Sequence, residues 1–259
     1  VKNDLLIFDV DGVLVDAEDS FTAAIVAAVR RFSGRTVSRA RIHGYKLAGG
    51  WNNDWALAHR LLADLGCDVP PAAVAEACER LYSDGGLAAR ERWLPAPGLF
   101  PRLAERFAFA LCTGRSRREL QPTLDRFAPG LRFAPQVCAD DVARGKPDPE
   151  GLRLIQAACP GRRCWFVGDT VDDARAARAA GVTFIGVVAP GNPHRARLRL
   201  RLEQERAAAL LDDVNQLAWR QGPSCPGNMG QDRRARRAKF GTARPCRVAT
   251  LGKGREASG

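Results

Sequence analysis

The chain is short of the residues that build transition-metal and redox sites. It has three histidines, one methionine and, among eight cysteines, no C-x-x-C pair. Structural zinc sites draw on closely spaced Cys and His, so a zinc centre is excluded as an organising feature. The cysteines, at 67, 78, 112, 138, 159, 164, 225 and 246, read as free thiols packed as small apolar groups. A chain of 259 residues can bury a core without a disulfide framework. No apolar run approaches the roughly 18 residues of a membrane span. The first residues lack the basic start and longer apolar stretch of a signal peptide. The expectation is a cytoplasmic protein with no membrane partner.

Lysine is also scarce, five against 35 arginines. One of the five is Lys146, inside Gly145-Lys146-Pro147-Asp148-Pro149. The net charge of +11 is unevenly spread: residues 221–259 hold nine Lys/Arg and two Asp/Glu, against 31 and 27 in the first 220. The basicity therefore belongs mostly to a Gly-, Pro- and Arg-rich tail without periodicity, which reads as disordered. Arg233-Arg234-Ala235-Arg236-Arg237 within it supports a rival reading, salt-sensitive nucleic-acid binding. Phe240 is the lone aromatic there, and a basic tail can simply be solvated, so nucleic acid is not the expected partner.

Residues 4–10 read as a buried strand closed by Asp11-Gly12. Residues 16–92 then read as helical: apolar positions Phe21, Ile25, Val26, Val29 and Phe32 have helical spacing. Asn53 or Asp54 would cap a helix through Leu65, and Pro71 opens another to Tyr82. After Pro95-Ala96-Pro97-Gly98 the pattern alternates. Strands are expected at 107–112, 135–139, 163–167 and 182–188, and helices near 99–106, 116–127, 149–158, 171–180 and 195–219. Such alternation means a parallel sheet covered on both faces. The predicted organisation is a core of residues 1–15 and 93–220, an inserted helical cap of residues 16–92, and the tail 221–259.

Four segments place polar groups just past predicted strands, where ligands of parallel sheets bind. Asp9 and Asp11 flank one residue, so in extended backbone their side chains point the same way. Alone, D-x-D-G also suits a turn or a calcium-loop fragment. Thr113, in Leu-Cys-Thr-Gly with Gly114 next, suits a phosphate oxygen or a helix cap. Lys146 could neutralise a phosphoryl group, though a single lysine is ordinarily solvated. Gly168-Asp169-Thr170-Val171-Asp172-Asp173 offers the hard oxygen ligands magnesium takes, although acids also favour a helix N-terminus. Asp172 is expected to cap the helix beginning there.

These four motifs, in this order, resemble the haloacid dehalogenase (HAD) superfamily in its phosphatase branch, across roughly residues 4–190. The resemblance implies a Rossmann-like doubly wound α/β core with a small helical cap. It also implies an Mg²⁺-dependent phosphatase working on a small phosphorylated metabolite. It makes Asp9 the nucleophile and Asp11 the general acid, then base. Thr113, Gly114 and Lys146 would hold the phosphate. Asp9, the carbonyl of Asp11, Asp169 and, near the metal, Asp173 would form the Mg²⁺ site. Dehalogenases typically lack the second acid of the first motif, which argues against that branch. Phosphonatases use a cap lysine as a Schiff base, and Lys46 is the candidate here. A sugar-phosphate mutase is a further alternative. Specificity is expected from the cap phrase Ala48–Trp55, with Gly50, Asn52 or Asn53 facing the leaving group. Substrate and oligomeric state are not legible.

Overall fold

The computed structural model describes residues 4–217. The basic segment 221–259, with its predicted disorder and its Arg-rich run, lies outside them. The chain opens with β1 (Asp4–Phe8) and a two-residue strand β2 (Val15–Asp16). Four helices follow: α1 (Phe21–Ser33), α2 (Arg39–Ala48), α3 (Asp54–Asp64) and α4 (Pro71–Ser83). β3 (Arg92–Trp93) then pairs antiparallel with β2, closing the helical insertion with a short ribbon. The remainder is α5 (Leu99–Ala104), β4 (Phe107–Cys112), α6 (Arg117–Phe127), β5 (Phe133–Val137) and α7 (Glu150–Ala158). Then come β6 (Arg163–Gly168), α8 (Val171–Ala180), β7 (Thr183–Val187), α9 (Arg195–Gln204) and β8 (Ala209–Leu211).

Six strands form one sheet in the order β5-β4-β1-β6-β7-β8, every pair parallel. This is the doubly wound α/β architecture expected. β1 sits in the middle because Asp4-Leu5-Leu6-Ile7-Phe8 is apolar enough to be buried on both faces. Its side chains alternate between two clusters. Leu6 and Phe8 join Phe100, Phe109 and Phe133 on one face, and Leu5 and Ile7 join Ile155, Phe166 and Phe184 on the other. Each such buried side chain contributes roughly 1.5–3 kcal/mol. From β1 the chain runs outward through β4 to β5 and then returns past β1 to β6, so the strand order reverses between β1 and β6. A crevice opens beyond the strand carboxyl ends at such a reversal.

The insertion has its own apolar cluster, built from Ile25, Val29, Leu57, Leu61, Val74 and Cys78. Asn53 starts α3, its side-chain oxygen accepting from the Trp55 and Ala56 amides at 3.0 Å each. Leu47, at the end of α2, belongs instead to the core cluster and ties the insertion to it.

Three readings need correction. α9 ends at Gln204 rather than running to 219; Leu210 and Leu211 pair with β7 as a strand. Their helical spacing lost to an open sheet edge that needed backbone partners. Asp172 does not cap α8. Thr170 does, its hydroxyl accepting from the Asp173 amide while Asp173 bonds back. The β2–β3 ribbon bordering the insertion is too short to give a pattern in the sequence. The six cysteines among the described residues are free, and no helix among them is long and apolar enough to cross a membrane.

Candidate active site

Each predicted motif stands at a carboxyl end of the sheet. Asp9 follows β1, and its amide donates to the Val167 carbonyl at 2.9 Å, which fixes it beside β6. Asp169 follows β6, Thr113 follows β4, and Lys146 comes in on the loop before α7. Asp9, Thr113, Lys146 and Asp173 are all buried.

Lys146 bridges two of the acids. Its Nζ lies 3.0 Å from Asp9 Oδ1 and 2.6 Å from Asp173 Oδ1. Burial opposes its charge, but Asp173 and Asp9 outweigh that and hold its pKa above the usual lysine range. Burial also dominates at Asp9. It pushes that carboxyl up to about 7, against the pull of Lys146 and with help from Asp173 and Asp11. Asp169 is driven well above the ordinary carboxylate range, by burial first and then by Asp173 and Asp9.

Oxygens of Asp9, Asp169 and Asp173 lie within 4.8 Å of one another, close enough to share one cation. Asp169 Oδ1 is buried without a hydrogen-bond partner among the described residues. A buried carboxylate oxygen in that state is costly unless something fills it. Hard oxygen donors are what a magnesium ion takes, so the donor set fits one. Asp173 is the most committed of the three. Its Oδ2 accepts from the Asp169 amide at 3.2 Å, the Thr170 amide at 3.0 Å and the Thr170 hydroxyl at 2.7 Å. Its Oδ1 faces Lys146. Gly12 makes room for Asp169. It has φ +73°, and a Cβ there would lie 2.0 Å from Asp169 Oδ2.

Thr113 is not the helix cap. Ser116 caps α6 in a reciprocal pair with Glu119. This leaves the Thr113 hydroxyl, which accepts from the Arg115 amide at 3.2 Å, at the strand end.

The insertion closes over these groups, with a cavity of about 640 Å³ between it and the sheet. Asp9, Asp11, Asp169, Gly114, Asn52 and Lys46 are among its lining residues. The predicted cap residues behave differently from one another. Asn52 meets the core: a Cβ on Gly114 would sit 2.5 Å from its side-chain nitrogen. Asn53 lines the cavity, but its oxygen is spent on α3. The Gly50 amide is also spent, donating to both oxygens of Asp172 at 2.8 Å, with the Trp51 amide at 3.2 Å. Gly49 permits that approach: it has φ +86°, and a Cβ there would lie 3.0 Å from Asp172 Oδ1 and 2.3 Å from Arg175.

Two site residues escaped the sequence reading. Asp172 is one, a latch between the insertion and α8. Arg115 is the other. Buried beside Asp11, it ion-pairs with Asp11 at 2.5 Å and Glu91 at 2.8 Å. Its sole signal was its place two residues after Thr113, and arginine is too common here for that to stand out. Lys46, the candidate Schiff-base lysine, pairs with Asp54 at 2.7 Å. Burial opposes its charge, but Asp54 leads the groups that hold its pKa above the usual range.

Residues 4–181 match the model of the haloacid dehalogenase-like hydrolase family, and the chain belongs to that family. Among curated relatives, it is 36% identical over 197 residues to a Phytophthora nicotianae protein named imidazoleglycerol-phosphate dehydratase. That match covers 71% of this chain and 43% of that protein, so the chain spans less than half of it. A phosphoglycolate phosphatase of Pseudomonas putida is 30% identical over 235 residues, covering 82% of this chain and 78% of the relative. A haloacid dehalogenase-like hydrolase from Bacteroides fragilis superposes with a TM-score of 0.67 at 20% identity. It covers 84% of this chain and all of that one, a likeness of fold.

Proposed function

We propose that this chain is a magnesium-dependent phosphatase that hydrolyses a small phosphomonoester through an aspartyl-phosphate on Asp9. The observation that carries the reading is the buried Lys146 ammonium between Asp9 and Asp173, beside an Asp169 oxygen with no hydrogen-bond partner among the described residues. A nucleophilic carboxylate needs a fixed cation to stay ionised in a buried site, and a transferring phosphoryl group needs charge offset. Lys146 works toward both, drawing the Asp9 carboxyl down against its burial and standing where phosphoryl charge would develop.

The steps follow from the residues. Asp9 attacks phosphorus as the bond from phosphorus to the leaving oxygen breaks, and Asp11 gives that oxygen a proton. Water then attacks the acyl-phosphate, Asp11 takes the water's proton, and inorganic phosphate departs with Asp9 restored. Thr113 and the Gly114 backbone hold phosphate oxygens beside Lys146. Asp9, the Asp11 carbonyl and Asp169 would hold Mg²⁺, with Asp173 steadying Lys146 and the Asp169 turn. When bound, the ion adds positive charge at the transferring group.

The insertion, residues 16–92, acts as the cap that shapes the leaving-group space, with Asn52 its best-placed polar group. Phosphoglycolate heads the substrate panel because several relatives carry phosphatase activity on it by name. The phosphonatase alternative needs a neutral cap lysine, and the Asp54 pairing of Lys46 works against it.

A panel of phosphoglycolate, sugar phosphates, nucleoside monophosphates and p-nitrophenyl phosphate, assayed for phosphate release with and without Mg²⁺, tests the reading. Turnover that requires the ion is expected. Metal-independent turnover, or none across the panel, would contradict it.

A further inference from the structure

We propose that Arg115 is the positioning residue for Asp11, setting the direction in which that carboxylate faces the leaving oxygen. The inference rests on the two-carboxylate reading above. Arg115 is 2% exposed. Its Nε lies 3.2 and 3.1 Å from the two Asp11 oxygens, and its Nη2 lies 2.5 Å from Oδ1. The other side of the guanidinium is fully engaged. Nη1 donates to Thr123 Oγ1 at 2.7 Å and to Tyr82 Oη at 3.2 Å, and Nη2 donates to Glu91 Oε1 at 2.8 Å. The Phe21 ring lies 4.8 Å from the guanidinium carbon.

These partners also hold one another. The Tyr82 hydroxyl donates to Glu91 Oε1 at 2.8 Å, and the Thr123 hydroxyl donates to Glu91 Oε2 at 2.9 Å. Glu91, 3% exposed, already supplies Arg115 with a buried counter-charge. Glu91, Thr123 and Tyr82 balance the charge of Arg115 and take three of its five donors. The remaining two, on Nε and Nη2, form a planar fork on a carboxylate that lines the cavity. Asp11 needs such a brace. It sits on the turn after β1, and its side chain is 28% exposed. Tyr82 and Phe21 come from α4 and α1, so the brace joins Asp11 to the insertion as well as to α6.

The test separates orientation of a proton donor from general damage to the site. Phenyl phosphate and p-nitrophenyl phosphate are nearly the same shape, but the nitrophenolate leaves readily without a proton. The quantity measured is kcat/KM with saturating Mg²⁺, which reports transition-state stabilisation from free enzyme and substrate. The variants are Arg115→Lys, which keeps the charge but not the fork, and the double change Arg115→Met with Glu91→Gln, which leaves no unpaired Glu91 carboxylate. Asp11→Asn is the reference.

Both variants are expected to lose at least about 10-fold more kcat/KM on phenyl than on p-nitrophenyl phosphate, in the direction of Asp11→Asn; general acids contribute roughly 10²–10⁴-fold. Equal losses on the two esters, or no loss, would overturn the positioning role while leaving the phosphatase reading intact. A wild-type protein that releases phosphate from neither ester nor any compound of the panel above would overturn the phosphatase reading, and this inference with it.

Discussion

The groups at the sheet's edge and the groups on the helical insertion come to one site by different physics. Asp9, Thr113 and Asp169 stand one residue beyond strands whose backbones are locked to their neighbours, the Asp9 amide bonding to Val167 and the Thr113 amide to Val137. Their positions follow from parallel pairing and a shared apolar core. Lys46 arrives on α2 and Asn52 on the loop before α3, in an insertion that packs around apolar clusters of its own. They are registered to the core through a few long-range contacts: the Leu47 side chain, the Asp172 latch and the Arg115 brace. Groups that must handle charge thus sit on the stiffer part of the molecule. Groups that would select a leaving group sit on a part tied to the sheet by those few contacts.

Changes at the strand ends should therefore affect turnover, while changes at the latch should affect substrate capture. The largest effect is expected from Lys146→Met. It strands Asp9 and Asp173 as buried unpaired carboxylates, costing about 3–5 kcal/mol in the metal-free protein, and should lower kcat by at least about 10³-fold. Urea melts and steady-state kinetics would check both; near-normal kcat would mean that Lys146 merely fills space. Gly12→Ala comes next, because its Cβ would collide with Asp169. Mg²⁺ affinity, measured by calorimetry, should fall about 10–100-fold, the range seen when a metal ligand's support is lost. Asp172→Ala should mostly spare kcat and raise KM by roughly 10-fold, since it frees the Gly50 and Trp51 amides and loosens the insertion. An equal fall in kcat would erase the distinction between the two regions.

The smallest effect concerns pH. Burial raises the Asp9 carboxyl to about 7 from its unfolded value near 3.8. Asp169 is shifted in the same direction. Groups raised in this way favour folding fully below the unfolded pKa and lose that contribution as pH climbs through the folded one. The metal-free protein should thus melt progressively lower between about pH 4 and 7. Added Mg²⁺, which binds the ionised forms, should raise Tm by more at pH 8 than at pH 5.5. A Tm shift from Mg²⁺ that is flat across that range would contradict the assignment of Asp9 to the metal.

The same contrast explains what the sequence made legible. Leu5-Leu6-Ile7-Phe8 followed by Asp9 is a local pattern, and a lysine in an arginine-rich chain stands out, so the strand-end groups could be named. Asp172 was misread because its partners, Gly50 and Trp51, are more than 120 residues away. From composition alone, an acid at a helix start is a cap. Arg115 was missed for a related reason: its meaning lies in Asp11, Glu91 and Tyr82, none of them near it in sequence. Asn53 was expected both to cap α3 and to face the leaving group, and the nearer demand, two free amides of α3, took its oxygen as the capping expectation required. Leu210 and Leu211 fit a helical stripe as well as a strand, and the edge of β7 decided between them.

The most direct test of the account is phosphate release by Asp9→Asn beside the wild-type protein, with and without Mg²⁺, each checked for folding by thermal melt. Wild-type turnover that needs Mg²⁺, and a folded Asp9→Asn protein with none above background, is the predicted result. Near-normal turnover by folded Asp9→Asn would contradict the aspartyl-phosphate mechanism.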